Sequence, residues 1–396
     1  MWISDLALND FRSYTSSVLE FEPGVSVFLG ENGRGKTNLV EAIAYLATFR
    51  SHRVAADTAL VRQGAEAAVI RTKVRDGSHS TMMEVEILSG KANRARLNRG
   101  AVKPRELLGI VKAVVFAPED LALISGEPAV RRTFLDDVCI QHRPRFAQIR
   151  SEYDKVVRQR SALLKSAGKV VRQGGKIDAA AFEVWDEKMA ELGSLIVAER
   201  ASVVAKMRPH VAAAYRGIAP DRGTTHVVYR ANVDDASRSV PPPEVLDESG
   251  YELVEAMEGQ LQDVDHVRSR LLEAIRDSRE DDIERGTNQI GPHRDELVLG
   301  LGTLPARGFA SHGETWSYAL SLRLAAFSLL KDGQTDPILI LDDVFAELDS
   351  TRRAHLVSIV QDIEQVFVTT AVGTDIPDEL NPHIYRVGRG QVTREY

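Results

Sequence analysis

The segment Gly30-Glu31-Asn32-Gly33-Arg34-Gly35-Lys36-Thr37 constrains this chain more than any other. It follows Val25-Ser26-Val27-Phe28-Leu29, which reads as a buried strand, and precedes Leu39, Ile43 and Leu46, spaced as one helix face. Strand, glycine loop and helix thus stand in the order in which small residues let backbone N–H groups turn toward phosphates. The helix then offers its positive N-terminal end to the same anion. Lys36 adds a cation, and Thr37 adds a hydroxyl suited to a Mg²⁺ that bridges phosphates. A chance glycine turn is the alternative, and the agreement of all three elements weighs against it. Gly30, Glu31, Asn32, Gly33, Arg34, Gly35, Lys36 and Thr37 are therefore expected to hold ATP.

Far downstream, Ile338-Leu339-Ile340-Leu341 reads as a core strand ending in Asp342-Asp343. A carboxylate there is costly unless a cation or strong donors balance it, and Mg²⁺ shared with Thr37 does so. Asp342 is the expected metal-side acid. Asp343, pointing differently at the strand end, is expected to position or activate water, so Lys36, Asp342 and Asp343 form the candidate catalytic set. Two solvated loop acids are the bland alternative. One helix earlier, Ala310-Ser311-His312-Gly313-Glu314 has helix-start chemistry: Ser311 caps, Gly313 allows close backbone approach, and the amides point outward. In isolation this is an ordinary cap. Its place before the double acid, with Glu347-Leu348-Asp349 just after, makes Ser311, Gly313 and Glu314 candidate nucleotide contacts.

The pattern along the chain predicts an α/β head built from both ends, residues 1–118 and 288–396. A mainly helical, charged lobe over 119–287 is interrupted at Gly174-Gly175 and Pro241-Pro242-Pro243. The middle lacks sustained heptads, which argues against a long coiled coil. With 396 residues, 43% hydrophobic and 27% charged, the chain is globular in composition, and Cys139 alone excludes an intrachain disulfide. The start MWISDLALNDFRSY is not a signal peptide, and no segment approaches a membrane-spanning length, so the expectation is a cytoplasmic protein without membrane contact.

A net charge of -7 excludes wholesale coating of nucleic acid, so any DNA contact must be local. Lys91, Arg94, Arg96, Arg99, Lys103 and Arg105 form a stretch free of acids until Glu106, gathered by a turn at Asn98–Gly100. Contact with a duplex backbone is one reading and a solvated hairpin the other. A second group, Arg131, Arg132, Arg143, Arg145, Arg150, Arg158 and Arg160, has acids mixed in and is the weaker candidate.

These motifs resemble the ABC ATPase superfamily: a Walker A loop at 30–37, a signature loop at 311–314, a Walker B strand ending at Asp342 and a D-loop around Asp349. Their wide separation is similar to the SMC branch. Within it, Thr48–Arg53, Phe116–Asp120, Arg131–Asp136 and Gly291–Asp295 resemble the RecF family of bacterial recombination mediators along nearly the whole chain. The resemblance implies an ABC/SMC-type head and ATP with Mg²⁺. It also implies an ATP-dependent homodimer, binding to gapped or double-stranded DNA, and work with RecR and RecO in loading RecA, while the short Asp343 points to poorly positioned water and slow hydrolysis. Departures are Asp343, one methylene shorter than the usual Glu, and Thr369-Thr370 where a histidine is usual; Gln63 and Gln141 both compete as the Q-loop glutamine. His293 and Arg294 either order the turn after Pro292 or lie near nucleotide or DNA, and Ser51-His52-Arg53 are read in the same way. The alternatives to this family are another SMC-like head, a transporter ATPase subunit, or a scaffold with a vestigial site.

Overall fold

The computed structural model describes residues 1–176, 178, 180–220, 223–233, 254, 256–331, 333 and 335–395; the expected break at 241–243 lies outside them. The chain divides into two compact units. One comprises Met1–Leu121, Ala213–Arg222 and Trp316–Tyr396, and the other Ala122–Ala212 and Gly223–Thr315.

The first unit contains two sheets. An antiparallel sheet runs in the order Tyr14–Glu20, Trp2–Phe11, Ala67–Asp76, His79–Leu88, Arg94–Leu97, Gly100–Val102. Its period-two pattern sends Leu6, Leu8, Ile70, Val85 and Ile87 into the core and leaves a charged opposite face. The second sheet runs Val392–Arg394, His383–Val387, Gly24–Leu29, Gln365–Thr370, Ile338–Asp342, Ala113–Phe116. All its pairings are parallel except that of the strand Val392–Arg394. Parallel strands covered on both faces must be apolar throughout, which explains Ile338–Leu341. The helix Lys36–Thr48 is buried almost all round, and Leu39, Ile43 and Leu46 join one core with Leu6, Ile70, Phe28, Ile340 and Phe367. Truncating any of these to Ala would cost about 2–5 kcal/mol, through lost burial and the cavity left behind.

The second unit is helical but not wholly so. Pro128–His142, Phe146–Arg172, most of Ala180–Ile218, Val264–Asp277 and Arg279–Arg285 accompany a small sheet ordered Leu304–Pro305, Glu296–Leu301, Thr225–Arg230. That sheet explains why 288–315 packs here rather than with the C-terminal segment. Glu296–Leu301 pairs residue for residue with Thr225–Arg230. Conversely, Ala213–Arg222 packs into the first unit. There Tyr215 meets Tyr318 edge-on at 5.7 Å, and a Cβ on Gly217 would lie 2.4 Å from the His355 ring.

Buried ions hold the second unit together. Arg200, fully buried, donates to both Asp136 (2.8 Å) and Asp295 (3.0 Å) and to the Pro292 carbonyl (2.8 Å). Arg131 pairs with Glu296 at 2.7 Å, and Arg160, also fully buried, with Asp186 at 2.7 Å and Asp282 at 2.6 Å. Arginines 131 and 160 are therefore committed to this framework and are not a DNA-facing cluster. Removing one member would strand the charge of the other, at about 3–5 kcal/mol.

Candidate functional site

The phosphate-type loop needs glycine at two positions for separate reasons. A Cβ on Gly30 would stand 2.4 Å from the Val387 carbonyl oxygen, so only glycine lets the strand end lie against its neighbour. Gly35 sits at φ +107°, and a side chain there would strike Ser13 Oγ at 2.8 Å and Tyr14 Oη at 3.0 Å. Tyr14 donates to the Gly35 carbonyl at 3.1 Å, fixing the start of the helix. Lys36 is 4% exposed, and its ammonium donates to the Gly30 carbonyl (2.8 Å), the Glu31 carbonyl (3.3 Å) and Asn32 Oδ1 (3.2 Å). The cation is thereby held inside the loop whose amides are to receive phosphates. Arg34 and Glu31 pair with each other at the rim.

Asp342 lies at the end of its strand, 4% exposed, and accepts from Thr37 Oγ1 at 3.1 Å and from Thr369 Oγ1 at 2.5 Å. Thr369 belongs to the adjacent parallel strand, directly opposite Asp342. The same hydroxyl accepts from the Asp343 backbone N–H at 3.0 Å, and the Thr369 carbonyl accepts it at 3.2 Å. Burial raises the Asp342 carboxyl above the usual range, and the Thr369 and Thr37 hydroxyls oppose that shift. Asp343 is raised by burial too, against the pull of Lys36. Its backbone stands at φ +53°, the left-handed region, so its carboxylate leaves the strand in a direction that a regular residue would not take. Thus Lys36, Thr37, Asp342 and Asp343, distant in sequence, meet within one unit.

Ser311, Gly313 and Glu314 lie in the other unit, at the start of the helix His312–Leu330. Ser311 Oγ donates to Glu314 Oε2 at 2.6 Å and the Ser311 N–H to the same oxygen at 2.9 Å; the Glu314 N–H reaches back to Ser311 Oγ at 3.4 Å. This is a reciprocal capping box. Asp349 likewise caps the helix Ser350–Val360, accepting from the Arg352 N–H at 2.9 Å.

The basic stretch falls on the antiparallel sheet. Asn98 (φ +46°) and Arg99 (φ +73°) form a two-residue turn joining Arg94–Leu97 to Gly100–Val102. Arg94 faces Glu86 and Arg96 faces Glu84 across the neighbouring strand, both at 3.5 Å, which partly neutralises them. Lys91, Arg99, Lys103 and Arg105 engage in no ion pair among the described residues.

Further residues organise this region. Glu41, fully buried on the helix Lys36–Thr48, receives both Arg12 nitrogens at 2.8 and 2.6 Å and Ser51 Oγ at 2.5 Å, and so ties the 49–53 loop to that helix. An acid in the middle of an apolar helix was its only signal. Thr369 stands out in the sequence only as a departure where a histidine is usual, and its role comes from its bonds to Asp342 and the Asp343 N–H. Gln63 is exposed after a short turn, and Gln141 is buried in Pro128–His142; neither follows a sheet strand. His293 accepts the ordering role: Nδ1 meets Tyr153 Oη at 2.9 Å and Nε2 the Asn288 carbonyl at 3.3 Å, and burial lowers its pKa to about 4.

The RecF/RecN/SMC N terminal domain family model matches residues 2–378. The DNA replication and repair protein RecF of Beutenbergia cavernae is 51% identical over all of both chains, and that of Streptomyces avermitilis 46% identical, also over all of both. The chain belongs to the RecF family. Solved structures agree in fold: the recombination mediator RecF with a bound ATP analogue, from the RecFOR pathway, has a TM-score of 0.83 at 24% identity, covering 100% of this chain and 98% of that one. An Smc head bound to the C-winged helix domain of ScpA gives 0.52 at 14%, covering 100% and 97%. The fold class is thus an α/β head of the ABC/SMC type. Membership of this family sets the transporter-subunit alternative aside. Among the described residues no helix is long and apolar enough to cross a membrane.

Proposed function

We propose that the chain binds ATP with Mg²⁺ through Gly30–Thr37 and Asp342 and hydrolyses it slowly with the help of Asp343. The nucleotide acts as a switch: with ATP two copies pair, each offering Ser311, Gly313 and Glu314 to the other's phosphate loop. The pair grips gapped or double-stranded DNA and assists RecA loading with RecR and RecO. Lys91, Arg94, Arg96, Arg99, Lys103 and Arg105 supply backbone contacts.

The observation that carries this reading is the hydroxyl bridge Thr37–Asp342–Thr369, which joins the glycine loop to the double acid. A hydroxyl and a buried carboxylate raised by desolvation are hard oxygen donors in need of a cation, a donor set that suits Mg²⁺. When bound, Mg²⁺ supplies charge neutralisation to the phosphates; Lys36 and the loop amides orient them, and Asp343 holds water. Among the described residues no group of three or more His, Cys, Asp or Glu side chains forms a metal site. The relatives' names supply the recombination and repair context.

The test is equilibrium binding of ATP and of gapped DNA, each with and without the other, for the wild-type chain and Lys36→Ala. ATP binding that depends on Lys36, and DNA binding that depends on ATP, are the expected results; ATP affinity unchanged in Lys36→Ala removes the central claim.

A further inference from the structure

Two arginines of the second unit stand outside its ion network. Within the network Arg200 bonds Asp136 and Asp295, Arg150 bonds Asp136 and Asp154, and Arg131 bonds Glu296. Arg132 and Arg294 lie among these same residues, yet neither has an acidic partner at ion-pair distance among the described residues. Each is held instead by one backbone carbonyl. Arg132 Nη1 donates to the Asp295 carbonyl at 2.7 Å, and Arg294 Nε donates to the Asn288 carbonyl at 2.7 Å. A guanidinium carries several further N–H donors, and on both residues these are left for another acceptor.

Both anchors belong to one firmly held turn, between Asn288 and Asp295. Gly291 stands at φ +122°, where a Cβ would lie 2.4 Å from Tyr153 Oη. Its N–H donates to the Asn232 carbonyl at 2.9 Å, and its carbonyl accepts from the Arg294 N–H at 2.9 Å. Arg200 donates to the Pro292 carbonyl at 2.8 Å, and Asp295 Oδ1 accepts from the Asn232 N–H at 2.7 Å. The two guanidinium groups are thereby fixed at the two ends of the same turn. Arg294 is exposed, whereas Arg132, on the helix Pro128–His142, is partly buried. Burial, and then the charge of Arg200, pull the Arg132 pKa below its ordinary value, against the opposing carboxylates of Asp295, Glu296 and Asp136. A partly desolvated cation that bonds no anion carries a free-energy cost, which an anionic ligand relieves.

We propose that Arg132 and Arg294 form a phosphate clamp in the second unit that grips the DNA backbone, in addition to the Lys91–Arg105 hairpin of the first unit. The planar fork of arginine matches a pair of phosphate oxygens, and two forks set on one held turn meet the backbone without reorganising. The contact reads backbone rather than base, because Tyr153, the aromatic ring packed on this turn, is fully buried and cannot stack. A protein partner would call for apolar surface beside the cations. The exposed large apolar side chain of the same helix, Val130, instead lies about 200° round it from Arg132. The inference rests on the proposed DNA binding and adds a second, independent set of contacts to it.

The experiment titrates a labelled duplex with the full chain and ATP over a series of salt concentrations, with ATP affinity and thermal unfolding measured in parallel. Arg132→Gln, Arg294→Gln and the double variant are compared with wild type. Each lost phosphate contact should flatten the slope of log affinity against log salt by about one unit and weaken binding about tenfold near 0.1 M salt. The double variant should therefore lose about one unit where the two forks share a phosphate and about two where they hold neighbours, with ATP affinity unchanged. Arg132→Lys and Arg294→Lys keep the charge but not the fork, so they should retain the wild-type slope and bind more weakly. A merely structural role would move the unfolding temperature and leave the slope alone. Arg294, being exposed, carries the test by itself if Arg132→Gln does not fold. A wild-type slope in Arg294→Gln and in the double variant overturns the proposal, and loss of RecR or RecO binding at that unchanged slope reassigns the arginines to an acidic protein surface. Failure of the wild-type chain to bind duplex at all instead overturns the DNA reading, and this inference with it.

Discussion

Acid should weaken the second unit through His293, and the size of the effect follows from its surroundings. The neutral ring accepts from Tyr153 Oη and donates to the Asn288 carbonyl, so protonation would convert an acceptor into a donor facing a hydroxyl. Burial lowers the native pKa from 6.5 to about 4. Between those values the unfolded chain binds a proton that the folded chain refuses, so stability falls as pH drops from about 6.5 toward 4 and levels off below. The full difference is about 3.4 kcal/mol, and roughly 2.4 kcal/mol of it should appear between about pH 7 and pH 4.5. His293→Gln retains a donor and an acceptor but does not titrate. Urea unfolding of both chains at the two pH values isolates the term, because the other titrating groups cancel in the difference. The variant should be somewhat less stable than wild type near neutrality and should overtake it at the acid value. A wild-type advantage that stays constant with pH would refute the reasoning.

Thr369→Val keeps the shape of the side chain but deprives buried Asp342 of its shortest hydrogen bond and the Asp343 N–H of one acceptor; a loss of about 1.5–3 kcal/mol in stability is expected in thermal unfolding, with weaker ATP binding by titration. Asp343→Asn should bind ATP and accumulate as a dimer in light scattering while turning over slowly, and a wild-type rate would dismiss it as a catalytic acid. Replacing Arg94, Arg96 and Arg99 together by Ala should flatten the salt dependence of duplex binding by about one unit of slope per lost phosphate contact. Because Glu86 and Glu84 already face two of the three, a fall of less than the full three units is expected in a fluorescence titration, and an unaltered slope assigns the patch to solvent. Mixing Lys36→Ala with Ser311→Arg chains should restore part of the DNA-stimulated ATPase activity absent from either alone; abundant, closed heterodimers without activity would reduce Ser311 to the capping box that it visibly forms.

How much was legible in the sequence depended on whether a local signal existed. The glycine loop and the Ile338–Asp343 strand carried theirs in spacing and polarity, and they meet as expected because parallel strand pairing leaves little freedom. Segment 288–315 looked like a continuation of the C-terminal α/β part because Leu297–Leu301 has strand character. Which sheet a strand joins is decided by long-range pairing, and that lies with Thr225–Arg230. Arg131–Asp136 and Gly291–Asp295 were conspicuous but ambiguous, since a buried ion network and a binding patch use the same residue types. Only the convergence of Arg200 on Asp136 and Asp295 separates the two. Thr369 acquires its meaning from what folds against it, which no window of sequence contains.

The strand Gly24–Leu29, whose end bears the phosphate loop, has both of its hydrogen-bonded neighbours at the far end of the chain, in Gln365–Thr370 and His383–Val387. Even the first strand is clasped this way, with the Gln365 side chain bonded to both backbone groups of Ile3, 362 positions away. A ribosome making this protein therefore exposes the apolar strand Gly24–Leu29 on the order of twenty to seventy seconds before its sheet partners emerge. During that interval the glycine loop has no sheet to stand on. Synthesis itself thus acts as a checkpoint: a prematurely terminated chain would be left aggregation-prone, and would not become a defective but persistent ligand for ATP.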